Sequence, residues 1–186
     1  MARSRSRSAE DTTRGPILRP RELLEAFERH GVKFVVIGGI GARIWGSPRA
    51  TNDLDICPAA TRANKGRLAA ALRELDARFR PPGLEAEGFA VPGGWDARSF
   101  DSMLSVALTT DLGWIDVWFR PDGTEGYDDL IREASDARVG GLTVKVADIR
   151  DIIRSKTAAG RNKDLAAIDH LHELARRRDE RADHAP

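Results

Sequence analysis

The sequence predicts an α/β or α+β domain whose mixed β-sheet is flanked by helices and followed by a helical C-terminal segment. Three observations carry this. Two short helix–strand units come first, over residues 20–37 and 40–57. Two alternating runs, 103–109 and 113–119, then read as a hairpin. Beyond residue 148 only helical patterns follow. A chain of 186 residues is one domain's length. A single domain is expected over residues 16–178, with disordered polar tails at 1–15 and 179–186.

Each element has a local reason. Pro20 suits a first helical turn, Leu23, Leu24 and Phe27 fall at helical spacing, and Gly31 ends the helix. Residues 32–37 are largely β-branched and bounded by Gly38-Gly39, the pattern of a buried strand. Residues 40–45 form a short helix stopped by Gly46-Ser47-Pro48. Residues 51–57 alternate polar and apolar, as a half-buried strand does. Residues 62–78, rich in Ala and Leu, read as a helix, broken by Pro81-Pro82-Gly83. Residues 83–100 hold two glycine-rich stretches and read as loop or short strand. The hairpin runs join through Thr110-Asp111-Leu112. Gly140-Gly141 marks a tight turn or a bulge within residues 139–146. Asp148 caps a helix carrying Ile149, Ile152 and Ile153, and Gly160 separates it from a last helix with Leu165, Ile168 and Leu171.

Composition excludes several classes. The 30 Lys+Arg nearly cancel the 29 Asp+Glu, so the chain cannot hold nucleic acid by bulk positive charge alone. A single cysteine, Cys57, excludes a disulfide framework and a cysteine zinc site, and reads as a small buried hydrophobe. The longest apolar run, 34–42, is half of the roughly 18 residues that a membrane span needs. The arginine–serine N-terminus leads into no apolar stretch, so it is not a secretory signal. A soluble cytoplasmic domain without membrane partners is expected.

The carboxylates are the informative residues. On a strand, Asp53 and Asp55 point to one face, with Leu54 and Ile56 on the other. Two carboxylates about 7 Å apart repel unless water or a cation relieves them. All-oxygen ligands favour Mg²⁺ or Mn²⁺ over zinc. The plain alternative is a solvent-facing strand edge. Asp116 is the one charge in the run Gly113-Trp114-Ile115-Asp116-Val117-Trp118-Phe119, which is apolar on both faces. An unpaired buried charge is costly, so Asp116 has a cationic partner or completes a metal site. With its strand beside that of Asp53, three carboxylates would converge, the number that holds two divalent cations for phosphoryl or nucleotidyl transfer.

Gly38-Gly39 follows a buried strand and precedes a short helix, a place where backbone N–H groups can approach phosphate oxygens. The dinucleotide fingerprint fails because Ile44 stands at its third glycine, and no Gly-Lys-Ser/Thr occurs for a P-loop. Arg49, on the loop before Asp53, either binds phosphate or balances the two aspartates. Near the C-terminus, Lys156 and Asp164 both lie on the inward apolar stripes of their helices. They form a structural ion pair or serve a ligand, and Arg161 and Lys163 beside them extend a phosphate-binding surface or are merely solvated. Trp114 and Trp118 share the strand face of Asp116, as core packing or as base-stacking surfaces. His170 and His172 are two apart on a helix and cannot form a metal pair.

Gly38-Gly39, then Asp53-Leu54-Asp55, then a lone Asp116 on a later strand resembles the polymerase-β-type nucleotidyltransferase superfamily. More narrowly, Gly38-Gly39 with Arg49-x-Thr51-x-Asp53-Leu54-Asp55, and Lys156 followed by Asp164, is similar to minimal bacterial nucleotidyltransferases that include AbiEii-like toxins of toxin–antitoxin systems. The resemblance spans about residues 20–175. It implies a nucleotidyltransferase-type sheet and Mg²⁺- or Mn²⁺-dependent transfer from an NTP to a hydroxyl. It implies metal binding by Asp53, Asp55 and Asp116, with Lys156 and Asp164 in the active site. Gly38, Gly39, Arg49 and Lys156 would hold the triphosphate. The superfamily usually has serine after the first glycine. Here Gly39 stands there, so Ser47 or Thr51 supplies the hydroxyl or triphosphate binding is weaker. The toxin branch implies an RNA acceptor, such as a tRNA 3′ end, and an antitoxin partner. The alternatives are a small-molecule, antibiotic-type acceptor, or a non-catalytic module that keeps the fold.

Overall fold

The computed structural model describes residues 15–81 and 88–183. Its centre is a seven-stranded mixed sheet in the order β3-β4-β5-β2-β1-β7-β6. The strands are β1 Phe34–Val36, β2 Asp53–Pro58, β3 Arg78–Phe79, β4 Ser105–Thr110, β5 Gly113–Trp118, β6 Ser135–Val139 and β7 Leu142–Val146. The helices are α1 Pro20–Arg29, α2 Gly38–Ile44, α3 Arg62–Glu74, α4 Tyr127–Leu130, α5 Ile149–Ala159 and α6 Asn162–Asp183. The expected mixed α+β architecture is therefore present.

The turns explain how the chain threads this sheet. β4 and β5 pair antiparallel down to Thr110 opposite Gly113, leaving Asp111-Leu112 as the turn. Gly140 and Gly141 adopt φ of +58° and +96°, as a two-residue turn between β6 and β7 requires, so the hairpin reading holds and the bulge does not. β2 runs parallel to β5 and antiparallel to β1, which places the two acidic strands side by side at the middle of the sheet.

Alternation along those strands divides the core. Leu54, Ile56, Ile115 and Val117 meet Leu23 and Phe27 of α1 and Leu68 and Leu72 of α3. On the opposite face, Val35 and Cys57 meet Ile149, Ile152 and Ile153 of α5 and Leu171 of α6. That second layer packs against Cys57 near the end of β2, while Asp53 and Asp55 stand earlier on the same face of the strand. The half-covered face is what makes a site possible.

Three sequence expectations need correction. The helix expected over 62–78 stops at Glu74: Asp76 takes a φ of +45°, and Arg78–Phe79 leaves to pair with β4. The helix expected over 40–45 begins at Gly38. The C-terminal tail expected to start at residue 179 is helical through Asp183. Its charges tie it down: Arg178 pairs with Asp148, and Arg150 donates to Asp179 at 2.6 Å. The N-terminal tail as far as Arg14, and residues 82–87 within the stretch 83–100 and its preceding prolines, lie outside the described residues. No described helix is long and apolar enough to cross a membrane.

Candidate active site

The β2–β5 register opposes Asp55 to Asp116 and Asp53 to Trp114. Strands in register are about 4.8 Å apart, so a carboxylate on one falls beside a carboxylate on the other. Asp53, Asp55 and Asp116 each present an oxygen within 4.8 Å of the others. The convergence anticipated from the spacing is realised.

Each carboxylate has its own donor. Thr51 Oγ1 donates to Asp53 Oδ1 at 2.6 Å. The Gly39 amide and the Trp118 indole donate to the two oxygens of Asp55, each at 3.3 Å. Arg80 donates to Asp116 Oδ1 at 2.6 Å. These donors do not neutralise the group. Burial, then Asp53 and then Asp116, push the Asp55 carboxyl up to about 7 against the pull of its two hydrogen bonds. A half-buried carboxyl whose ionisation two neighbouring acids oppose is the condition that a hard divalent cation relieves, and the all-oxygen donor set fits Mg²⁺ or Mn²⁺.

The glycine turn is shaped around these acids. Gly38 has φ +57°, and a Cβ there would fall 2.0 Å from Asp55 Oδ2. Gly39 needs its missing side chain for space alone: a Cβ would meet Thr51 Oγ1 at 2.4 Å and Thr51 Cβ at 2.6 Å. The hydroxyl beside the turn is thus that of Thr51. Ser47 is buried within its own loop, where it accepts from the Arg49 amide at 3.5 Å. We expect Gly39→Ser to destabilise the fold by about 1–3 kcal/mol through overpacking. Gly39→Ser combined with Thr51→Ala should recover most of that loss. Urea unfolding of both variants measures it, and equal losses would disprove the close fit.

Lys156 and Asp164 also meet, and Arg161 joins them. Asp164, 2% exposed, accepts from Lys156 Nζ at 2.7 Å and Arg161 Nε at 2.5 Å. Burial alone would raise the pKa of Asp164, but these two bonds outweigh it and hold the carboxyl below its usual range. Two cations on one carboxylate leave a net positive charge. Lys156 and Arg161 line a cleft with Gly38, Asp55, Trp118 and Asp151, so the cationic cluster and Asp55 of the triad share one opening. The ion pair expected between Lys156 and Asp164 is present, with Arg161 as a second partner. Lys163 has no described side chain.

Arg49 reaches across to the last helix. Its guanidinium donates to the Ala166 carbonyl at 3.1 Å and so holds the loop before β2 against α6. Cys57 is fully buried, and burial, with Asp128 and Asp129 nearby, pushes its thiol up to about 12. Sequence reasoning missed Arg80 and the indole of Trp118.

Comparison with family profiles and with curated proteins finds no match. Solved structures do match. The lincomycin-bound crystal structure of the lincosamide antibiotic adenylyltransferase LnuA superposes with a TM-score of 0.57 at 14% identity, covering 85% of this chain and 99% of that one. The fold is that of a nucleotidyltransferase. The solution structure of the antibiotic-resistance factor ANT(2'')-Ia matches with a TM-score of 0.53 at 14% identity, covering 88% of this chain and 91% of that one. Within this nucleotidyltransferase fold, Gly38, Asp55, Lys156 and Arg161 line one cleft.

Proposed function

We propose that the chain is a Mg²⁺-dependent nucleotidyltransferase that moves a nucleoside monophosphate from an NTP to an acceptor hydroxyl. The observation that carries this is the convergence of Asp53, Asp55 and Asp116 beside the Gly38-Gly39 turn. Asp53 and Asp55 would hold both cations, and Asp116 one of them. Bound there, the cations would supply charge neutralisation for the phosphates and the attacking and leaving oxygens. The chain's own residues position the reaction. The amides of the glycine turn and the cations Lys156 and Arg161 hold the triphosphate, and Asp164 holds those two cations in place. The acceptor oxygen forms a bond to the α-phosphorus, its proton passes to a carboxylate oxygen of Asp116, and the bond to the β-phosphate bridge breaks, releasing pyrophosphate.

For the acceptor we propose RNA, a tRNA 3′ end being one such hydroxyl, with the protein acting as the toxin of a pair that includes an antitoxin. The supporting observation is the place where the basic N-terminal segment joins the domain. Arg3, Arg5, Arg7 and Arg14 precede Gly15. Gly15 lies so close to the Trp114 ring that a Cβ would fall 2.2 Å from it, and Trp114 is in register with Asp53. The second reading, a small-molecule acceptor, is favoured by the LnuA likeness, which takes in 99% of that chain.

Mg²⁺-NTP is expected to raise the melting temperature, and Asp53→Ala to abolish the rise. Absence of any shift with all four NTPs would sink the enzyme reading. Incubation with labelled NTPs and total RNA should place label on tRNA-sized RNA. Label found only on small hydroxylated compounds would transfer the assignment to them.

A further inference from the structure

Arg80 stands at an unusual place. It follows the edge strand β3, and its amide donates to the Ala107 carbonyl at 2.8 Å. Ala107 pairs with Asp116 across β4 and β5, so the side chain crosses one strand to reach the triad. Its guanidinium lies 4.5 Å from the Trp114 ring centroid and bonds Asp116 at 2.6 Å. The side chain is 14% exposed, and its Nε is enclosed without a hydrogen-bond partner among the described residues.

These features separate it from the many surface ion pairs of this chain. An exposed arginine pair contributes little and leaves no donor enclosed. Here a donor is sacrificed so that the planar group can stack on Trp114 and reach one oxygen of one acid. The other two acids of the triad already have neutral donors in Thr51, Gly39 and Trp118. Asp116 is the one fixed by a cation, and that cation also opposes a divalent ion at the triad.

We propose that Arg80, backed by Trp114, is a positioning residue that fixes the Asp116 carboxylate and weakens divalent-cation binding in exchange for that orientation. This rests on the metal-binding reading of the triad. Two consequences run in opposite directions. Removing the positive charge tightens cation binding, while loss of the Arg80 bond loosens the carboxylate's orientation and slows transfer. A residue that only stabilised the fold would not separate them.

The test is a Mn²⁺ titration of the full chain by electron paramagnetic resonance, with rates of label transfer at saturating Mn²⁺. Arg80→Gln should bind Mn²⁺ roughly threefold to tenfold more tightly. Its kcat should fall about tenfold to a hundredfold, with the KM for NTP within about twofold. Arg80→Lys keeps the charge but loses the planar stack and fork. It should bind Mn²⁺ within about twofold of the natural chain, with kcat still reduced. Weaker Mn²⁺ binding in Arg80→Gln, or an unchanged kcat in both variants, overturns the proposal. Mn²⁺ bound with equal affinity by all three proteins also overturns it, yet leaves the nucleotidyltransferase reading standing. Absence of Mn²⁺ binding by the natural chain removes both.

Discussion

Asp53→Asn is expected to lower nucleotidyl transfer by about 10³-fold or more without loss of stability. The two halves of this expectation have separate causes. Metal-assisted charge neutralisation is worth several kcal/mol at the transition state, and each 1.4 kcal/mol is about tenfold in rate. Asn keeps the shape and the Oδ1 that accepts from Thr51 Oγ1, so the loop before β2 keeps its hydrogen bond. It also removes one of the charges that repel Asp55. The melting temperature should therefore stay level or rise. A steady-state transfer assay beside a thermal melt checks both. Transfer within about tenfold of the natural chain would place the reaction somewhere other than the triad.

Much of this site was legible because strands report their faces. Alternation in Asp53-Leu54-Asp55-Ile56 sets two acids opposite two core residues, and the folded chain keeps that division. Asp116 stood out as a lone charge among apolar neighbours. Of the two explanations offered for it, the cationic partner is present as Arg80, and the other two acids stand close by. Lys156 and Asp164 were legible from helical stripes for the same reason.

What was not legible depends on contacts between distant segments. Arg80 reaches Asp116 only because β3 lies two strands from β5, and no local pattern encodes that register. The indole of Trp118 turns to Asp55 through β2–β5 pairing, which a reading of packing alone passes over. Arg49, before Asp53, reads as a phosphate ligand or as a balance for the two aspartates, and its bond to a carbonyl of α6, far along the chain, belongs to neither reading. The end of α3 was hidden as well, because the break falls at Asp76 in a left-handed conformation and not at the prolines. The last helix looked frayed because its polar residues carry no core pattern. Long-range pairs with Asp148 and Arg150 hold it.

Asp55 is expected to make the metal-free protein lose stability as pH rises. Burial and the neighbouring acids move its carboxyl from 3.8 up to about 7 in the folded chain. Between about pH 4 and pH 7 the folded state therefore keeps a proton that the unfolded chain releases. Stability falls across that window, and the full cost is present above it. With water screening a half-buried site, the difference is on the order of 3 kcal/mol. Asp55→Asn cannot ionise. It should raise the melting temperature at pH 8 by roughly 6–10 °C over the natural chain, and by much less at pH 5. Mg²⁺ binds only the native cluster and should restore much of the same stability at pH 8, with little effect at pH 5. Melts at the two pH values, with Mg²⁺ and with a chelator, test this. If the natural chain and Asp55→Asn show parallel pH profiles, the acids do not repel one another as their spacing requires. If the profiles diverge and Mg²⁺ closes the gap, the mutual repulsion of the three carboxylates is the source of the triad's affinity for the cation.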